Sequence, residues 1–341
     1  MKFLTHLHRS RLVDFLWLPN LVYVDYSHVD MTSQERAVMA DALAILEEVK
    51  AVLAPYKERI DRYFHRHFFL RLYRYLLAQG QDPLDMAELL HLIEALPEAV
   101  LEQEFALFLT DEEQDSLSLE ALLLVLEDFS DDPAYRWQLL WSYQHLKECV
   151  QGMSALYQEL CPLYEPFYAQ FEEEIRSFSE QLDIPDLFAN TSHDVLGVLA
   201  ETGRSNCEVF VTSPLQFMQM IGYDKHRPDS PAYFQLFPRV AAFIGNRQVV
   251  DKEILDVVVK SLSDPVRYEI LQRIGLHGEK SKVISDNLGI SPATVTFHVQ
   301  KLVNANLLLI SGQAKGVYTF NKPLLKEALD RLARDFALES D

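Results

Sequence analysis

The stretch SPATVTFHVQKLVNANLLLI, residues 291–310, decides how this chain is read. Ser291 is a helix-capping residue type, and Pro292 suits a first helical position, where a missing N–H costs little. Placed at about 100° per residue, Val295, Val299, Leu302 and Val303 gather on one side and make a core stripe. Ala293, Thr294, Phe297, Gln300, Lys301 and Asn304 point the other way, and His298 falls at the edge of the stripe. A DNA-reading helix shows this division, docking its outward N-terminal part in the major groove. Phe297 is the unusual member of that face. A large apolar ring among polar neighbours wants burial, which a thymine methyl would supply and so would the protein's own N-terminal body.

Working outward, SLSDPVRYEILQRIGLHG (261–278) predicts a helix capped by Ser263, with Pro265 in its first turn and Gly275 and Gly278 ending it. Val266, Ile270 and Ile274 recur along it at helical spacing. SKVISDNLG (281–289) predicts a short helix capped by Ser281, with Gly289 taking the left-handed turn that follows. Beyond the quoted stretch, LLLIS and VYTFN flank GQAKG (312–316) and predict a β-hairpin wing. A last helix is expected from Pro323, and one at 251–261 is expected to connect the module to the rest.

This segment resembles the winged helix of the ArsR-type (ArsR/SmtB) bacterial transcription regulators. LSDPVRYEIL, NLGISPATVTFHVQKLVNANLL and the Gly-bounded wing carry the resemblance in order and spacing. It implies a homodimer on a palindromic operator. Metal-sensing members of that family carry a cysteine-rich motif before the reading helix. EKSKVISDNL (279–288) has no cysteine and the final helix has no His/Asp ligand cluster, so metal sensing at those sites is not expected. The long N-terminal extension is similar to that of a large subgroup whose N-terminal region is uncharacterised.

The residues expected to meet DNA follow from both readings. Thr294 and Thr296 suit bases or phosphates, or serve only to cap or bond back to the helix; His298 suits a structural role equally well. Gln300 suits adenine, and Lys301 suits guanine or phosphate. Ser291, Ala293 and Phe297 complete the helix face, and Lys280, Lys282 and Lys315 flank it as phosphate partners.

Such a role sits oddly with a formal net charge of −20 until the charge is placed. Residues 251–341 hold 12 Lys and Arg against 12 Asp and Glu, so the whole excess lies in residues 1–250. Within 260–326, nine basic residues face four acidic ones. The acidity therefore belongs to the body and not to the module.

With 341 residues, 49% of them apolar, the chain has material for two or three domains and a substantial core. We expect a mainly α fold with minor β: a helical N-terminal sensor or dimerisation body over 1–183, a partly β connecting region over 184–250, and the winged helix over 251–341. In the body, LVYVDY (21–26) has a β-like composition. A helix is expected from Thr32 or Ser33, and an Arg- and aromatic-rich one over 56–79. Shorter helices follow at 84–95, 98–109 and 117–128, and a long pattern over 131–182 should break or kink at Pro162 and Pro166.

Residues 75–135 hold 16 Asp and Glu and no Lys or Arg. They read as solvated helix faces or as a surface for a basic partner; pairing with the Arg-rich 56–79 helix accounts simply for both segments. The 33 aromatic residues of 1–250 are core material and could also line a pocket for a small-molecule effector.

Three unclustered cysteines (Cys149, Cys161, Cys207) suit a reducing cytoplasm. No apolar run approaches a membrane span, and no secretory cleavage pattern follows the N-terminus. His65 and His67, two apart on a helix, cannot share an ion, and His6 and His8 lack a third ligand nearby. No nucleotide, hydrolase or metalloprotease motif occurs, so neither cofactor nor enzymatic activity is expected. The reading from another class is an interaction module, in which the body docks a protein or peptide and the winged helix adds surface without binding DNA.

Overall fold

The computed structural model describes residues 1–24, 26, 31–65, 67–110, 116–130, 132–189, 191, 194–217, 219–244, 250–279, 281–290, 292–310 and 318–338. The fold is mainly α with minor β, as expected. In chain order the elements are β1 (Lys2–Thr5), α1 (Leu7–Leu16), α2 (Ser33–Leu53), α3 (Lys57–Tyr63), α4 (Phe68–Ala78), α5 (Met86–Glu94), α6 (Glu98–Thr110), α7 (Leu119–Phe129) and α8 (Pro133–Gln144). There follow α9 (Leu146–Tyr168), α10 (Glu172–Gln181), α11 (Ile184–Ala189), α12 (Val195–Glu201), β2 (Asn206–Val211), β3 (Met220–Gly222), β4 (Ala232–Leu236) and α13 (Ala241–Ile244). The C-terminal elements are α14 (Lys252–Leu262), α15 (Pro265–His277), α16 (Ser281–Leu288), α17 (Pro292–Asn304), β5 (Leu308–Ile310), β6 (Tyr318–Phe320) and α18 (Lys322–Asp335). They fall into two compact units. The first comprises Met1–Val24, Asp41–Gln181 and Ser205–Pro238; the second comprises Asp25–Ala40, Leu182–Arg204 and Arg239–Asp341.

The first unit packs helices on a four-stranded sheet of order β1-β2-β4-β3. β1 and β4 both run parallel to β2, in registers such as Phe3↔Cys207 and Val209↔Phe234, and β3 lies antiparallel on β4. The strands expected within 184–250 thus share one sheet with the chain's first residues. β2 is buried from Cys207 to Val211, which is why its sequence is almost continuously apolar instead of alternating. LVYVDY does not open as a strand: Leu18–Val22 forms a 3-10 turn with Pro19 in its first positions.

α1 is fastened to the sheet by buried polar groups. Ser10 Oγ accepts the Val211 N–H at 3.0 Å, and Trp17 Nε1 donates to Gln235 Oε1 at 3.0 Å. Asp14, fully buried, accepts from the Tyr164 hydroxyl at 2.7 Å and from the Ser213 N–H.

The helix expected over 56–79 is two helices. The break carries His67 in the left-handed region at φ 66° and a buried His65 whose Nε2 meets Ser142 Oγ at 2.7 Å. Burial pushes the His65 imidazole down to about 3, so it is a neutral core group. Around it Phe68 and Phe105 stack edge-on at 4.8 Å. α9, by contrast, runs unbroken through Pro162 and Pro166. Its buried face (Val150, Met153, Tyr157, Leu160, Tyr164) holds the helix against the core, and that packing overrides the lost N–H groups.

Among the described residues, the Arg-rich segment pairs more with α9 than with the acidic stretch. Arg59 pairs with Glu159 at 2.8 Å and Arg62 with Glu148 at 3.5 Å, both on α9. Arg71 does reach into the acidic stretch, pairing with Glu104 at 2.9 Å.

In the second unit α2 begins with a capping box. Thr32 Oγ1 accepts the Glu35 N–H at 3.2 Å, and Glu35 Oε2 accepts the Thr32 N–H at 2.8 Å. The Ser33 N–H bonds Glu253 Oε2 at 2.8 Å on α14. One apolar cluster joins α14, α15, α16, α17, β5 and α18, through residues including Val258, Ile270, Ile284, Leu302, Leu308 and Leu324.

Candidate nucleic-acid interface

Helices α15, α16 and α17, followed by the antiparallel pair β5–β6 and then α18, give the order of a winged helix-turn-helix. The start of α15 differs from expectation. Asp264 is the N-cap, its Oδ1 accepting the Val266 N–H at 2.9 Å and the Arg267 N–H at 3.0 Å, while Ser263 closes α14. Burial opposes the Asp264 charge, but those N–H groups and the Arg267 guanidinium hold its carboxyl below the usual range. Arg267 turns back and donates to the Ser261 and Lys260 carbonyls at 3.0 and 2.8 Å. It therefore clamps the α14 C-terminus and is committed to structure.

Gly275 does not end α15. The helix continues to His277, and Gly278 at φ 62° is the left-handed cap. At Gly275 the side of α15 meets β6 so closely that a Cβ would stand 2.8 Å from the Phe320 Cβ. Gly289 takes the left-handed conformation expected of it, at φ 63°, between α16 and α17.

On α17 the division expected from the sequence holds. Val295, Val299 and Leu302 are buried and Val303 packs partly against the same cluster. Thr296, Phe297 and Gln300 are exposed, Phe297 to 55%; Thr294 and Lys301 are half-buried. The Lys301 Nζ sits over the Phe297 ring at 4.7 Å from its centroid, so two residues named separately from the sequence act as one group. Their i,i+4 spacing was the available signal. Gln300 Nε2 donates to Asn304 Oδ1 at 3.0 Å, which holds its amide along the helix surface.

His298 is half-buried with its ring 5.5 Å from that of Phe297, and its Nδ1 is buried without a hydrogen-bond partner. Burial pushes its imidazole below the usual value, against the pull of Asp264. Ser291, Lys280 and Lys315 lie outside the described residues, as do the side chains of Lys282 and Ala293 and the tip of the wing.

A known family, described as a helix-turn-helix domain, matches residues 262–310 of the chain. Residues 262–310 form a helix-turn-helix domain. The match runs from the last residue of α14 to the end of β5, and so takes in α15, α16 and α17. No curated protein and no solved structure matches the chain. Among the described residues no helix is long and apolar enough to cross a membrane, and no three His, Cys, Asp or Glu side chains gather to hold a metal.

Proposed function

We propose that this chain is a sequence-specific DNA-binding transcription regulator of the ArsR type. In this reading it acts in the cytoplasm as a homodimer on a palindromic operator and catalyses no reaction. α17 reads the major groove with Thr294, Thr296, Phe297, Gln300 and Lys301. Lysines 280, 282 and 315 neutralise phosphates, and the N-terminal body senses an effector, a small molecule or a basic peptide, or carries dimerisation.

The observation that carries the reading is the two-sidedness of α17. Its apolar stripe is spent inside the winged-helix core, leaving an outward face with an exposed aromatic ring and a cation but no acidic side chain. The helix-turn-helix match over the same residues supports it. Such a face recognises base edges and phosphates together.

The test incubates the intact chain with a randomised duplex library and sequences what it retains. An enriched two-fold-symmetric motif, bound less tightly as salt rises, is expected. No enrichment and a flat salt response would instead favour a docking module, for which the exposed Phe297 ring also has the right chemistry.

A further inference from the structure

The first unit holds a cavity of about 260 Å³ that the DNA reading leaves unused. Its walls come from α1, the end of α4 with the residues that follow it, β2, β4 and the segment between β3 and β4. Its volume lies below the roughly 300–1,000 Å³ of sites for drug-sized molecules, which points to a small ligand.

The charged groups in the wall are mostly satisfied by one another. Arg9 donates to both oxygens of Asp82 at 3.0 and 2.7 Å and pairs with Glu208 Oε1 at 2.8 Å. Arg227 pairs with Asp224 at 2.6 Å and with Glu104.

Two groups are left over, of opposite sign. Glu208 is only 7% exposed, on the buried strand β2, and its Oε2 has no hydrogen-bond partner. Arg74 stacks its guanidinium over the Tyr233 ring at 3.7 Å, and among the described residues it forms no ion pair. Burial lowers its pKa from the usual value, and the Asp224 carboxylate it feels is already held by Arg227 and by the His226 N–H at 2.9 Å. A buried carboxylate oxygen lacking a donor, and a half-buried guanidinium that must share the Asp224 carboxylate with Arg227 and Arg71, are both costly unless a ligand completes them. A guanidinium backed by an aromatic ring presents its fork to a carboxylate.

We propose that this cavity binds a free amino acid, its ammonium at Glu208 and its carboxylate at Arg74. Under the regulator reading, on which its role depends, that ligand is the effector. The apolar part of the wall, including Leu77, Phe210 and Pro231, receives the ligand's side chain and favours an apolar one.

The test is run on the intact protein without DNA, so that failure of the cavity and failure of the DNA reading are separate results. Each of the twenty L-amino acids is titrated by calorimetry. For any that binds, the methyl ester (no carboxylate) and the deaminated acid (no ammonium) are titrated alongside. At least one amino acid is expected to bind, with both analogues weakened by about tenfold or more, as when a site's buried polar groups lose their partner. Arg74→Gln and Glu208→Gln should each weaken it comparably while leaving the ligand-free melting temperature near that of the parent. The analogue series needs no variant, so it decides even if a substitution unfolds the protein. No heat with any amino acid at millimolar concentration, or analogues that bind as well as the parent, would overturn the proposal.

Discussion

At the scale of single residues, Phe297 and Asp14 carry the sharpest consequences. Phe297 keeps 55% of its surface exposed and shares its ring with Lys301. If the ring meets a thymine methyl, Phe297→Ala removes a base contact but leaves the phosphate partners in place. Affinity for the selected motif should then fall by about 1–2 kcal/mol, in the range of a single lost base contact. Affinity for unrelated duplex should change little, as fluorescence anisotropy on the two DNAs would read. Equal loss on both, or loss on neither, rules the contact out. Asp14 gives a pH prediction. Burial raises its pKa to about 6 from 3.8, against the hydrogen bonds from Ser213 and Tyr164. Between those values the unfolded chain has released the proton that the folded chain keeps, so stability from this group is complete below pH 3.8 and is lost as pH rises through 6. The total is about 3 kcal/mol. Asp14→Asn cannot titrate. Whatever its fixed offset, its stability relative to the parent should therefore climb across that window in urea unfolding followed by a first-unit probe such as Trp17. A constant difference across the window would exclude the shift.

At the scale of elements, the close approach of α15 and β6 sets a tight packing demand in the winged helix. A Cβ on Gly275 would stand 2.8 Å from the Phe320 Cβ and 2.9 Å from its Cγ, backbone-proximal atoms that cannot swing away. Gly275→Val should cost about 1–3 kcal/mol by overpacking and loosen the hairpin first, read as faster amide exchange at Tyr318–Phe320 than along α9. Unchanged exchange there would show that the hairpin accommodates the methyls. This element also shows what the sequence made legible. The α17 stripe, the Gly289 turn and the wing strands could be read because each rests on periodicity or on backbone conformation, both local properties. Gly275 looks like a helix end because a glycine that admits a neighbouring strand has the same appearance, in sequence, as one that stops a helix. Ser263 has the chemistry of a cap, but Asp264, next to it, has the same chemistry and takes the position. The α9 prolines misled for the opposite reason, since burial on a long apolar face held the helix where local propensity predicts a break. The β1–β2 pairing joins residues 2–5 to 206–209, and the cavity joins five segments; no local signal announces either.

At the scale of the whole molecule, the distribution of charge should shape the salt response of binding. Counterion release by a few phosphate contacts alone gives a straight line of log affinity against log salt, with a slope of about −0.9 per contact. Here the segment carrying the reading helix is locally basic, whereas residues 1–250 hold 39 acidic against 19 basic side chains and repel the same DNA. The two forces screen differently. Contacts made at the phosphates persist as salt rises, whereas repulsion from charges that never touch the DNA fades once the Debye length shrinks, from about 30 Å at 0.01 M to about 10 Å at 0.1 M. Added salt at the low end therefore weakens attraction and repulsion together, and at the high end mainly attraction. The log–log plot for the intact chain should bend, shallow below about 0.1 M and steeper above it. Anisotropy titrations of one labelled duplex from 20 to 300 mM salt, at fixed pH, would trace the curve on the order of these concentrations. A line that is straight throughout would mean the body's charge is not felt at the DNA. A plot that steepens toward low salt would mean that the body adds a long-range attraction to the DNA, and would exclude the repulsion.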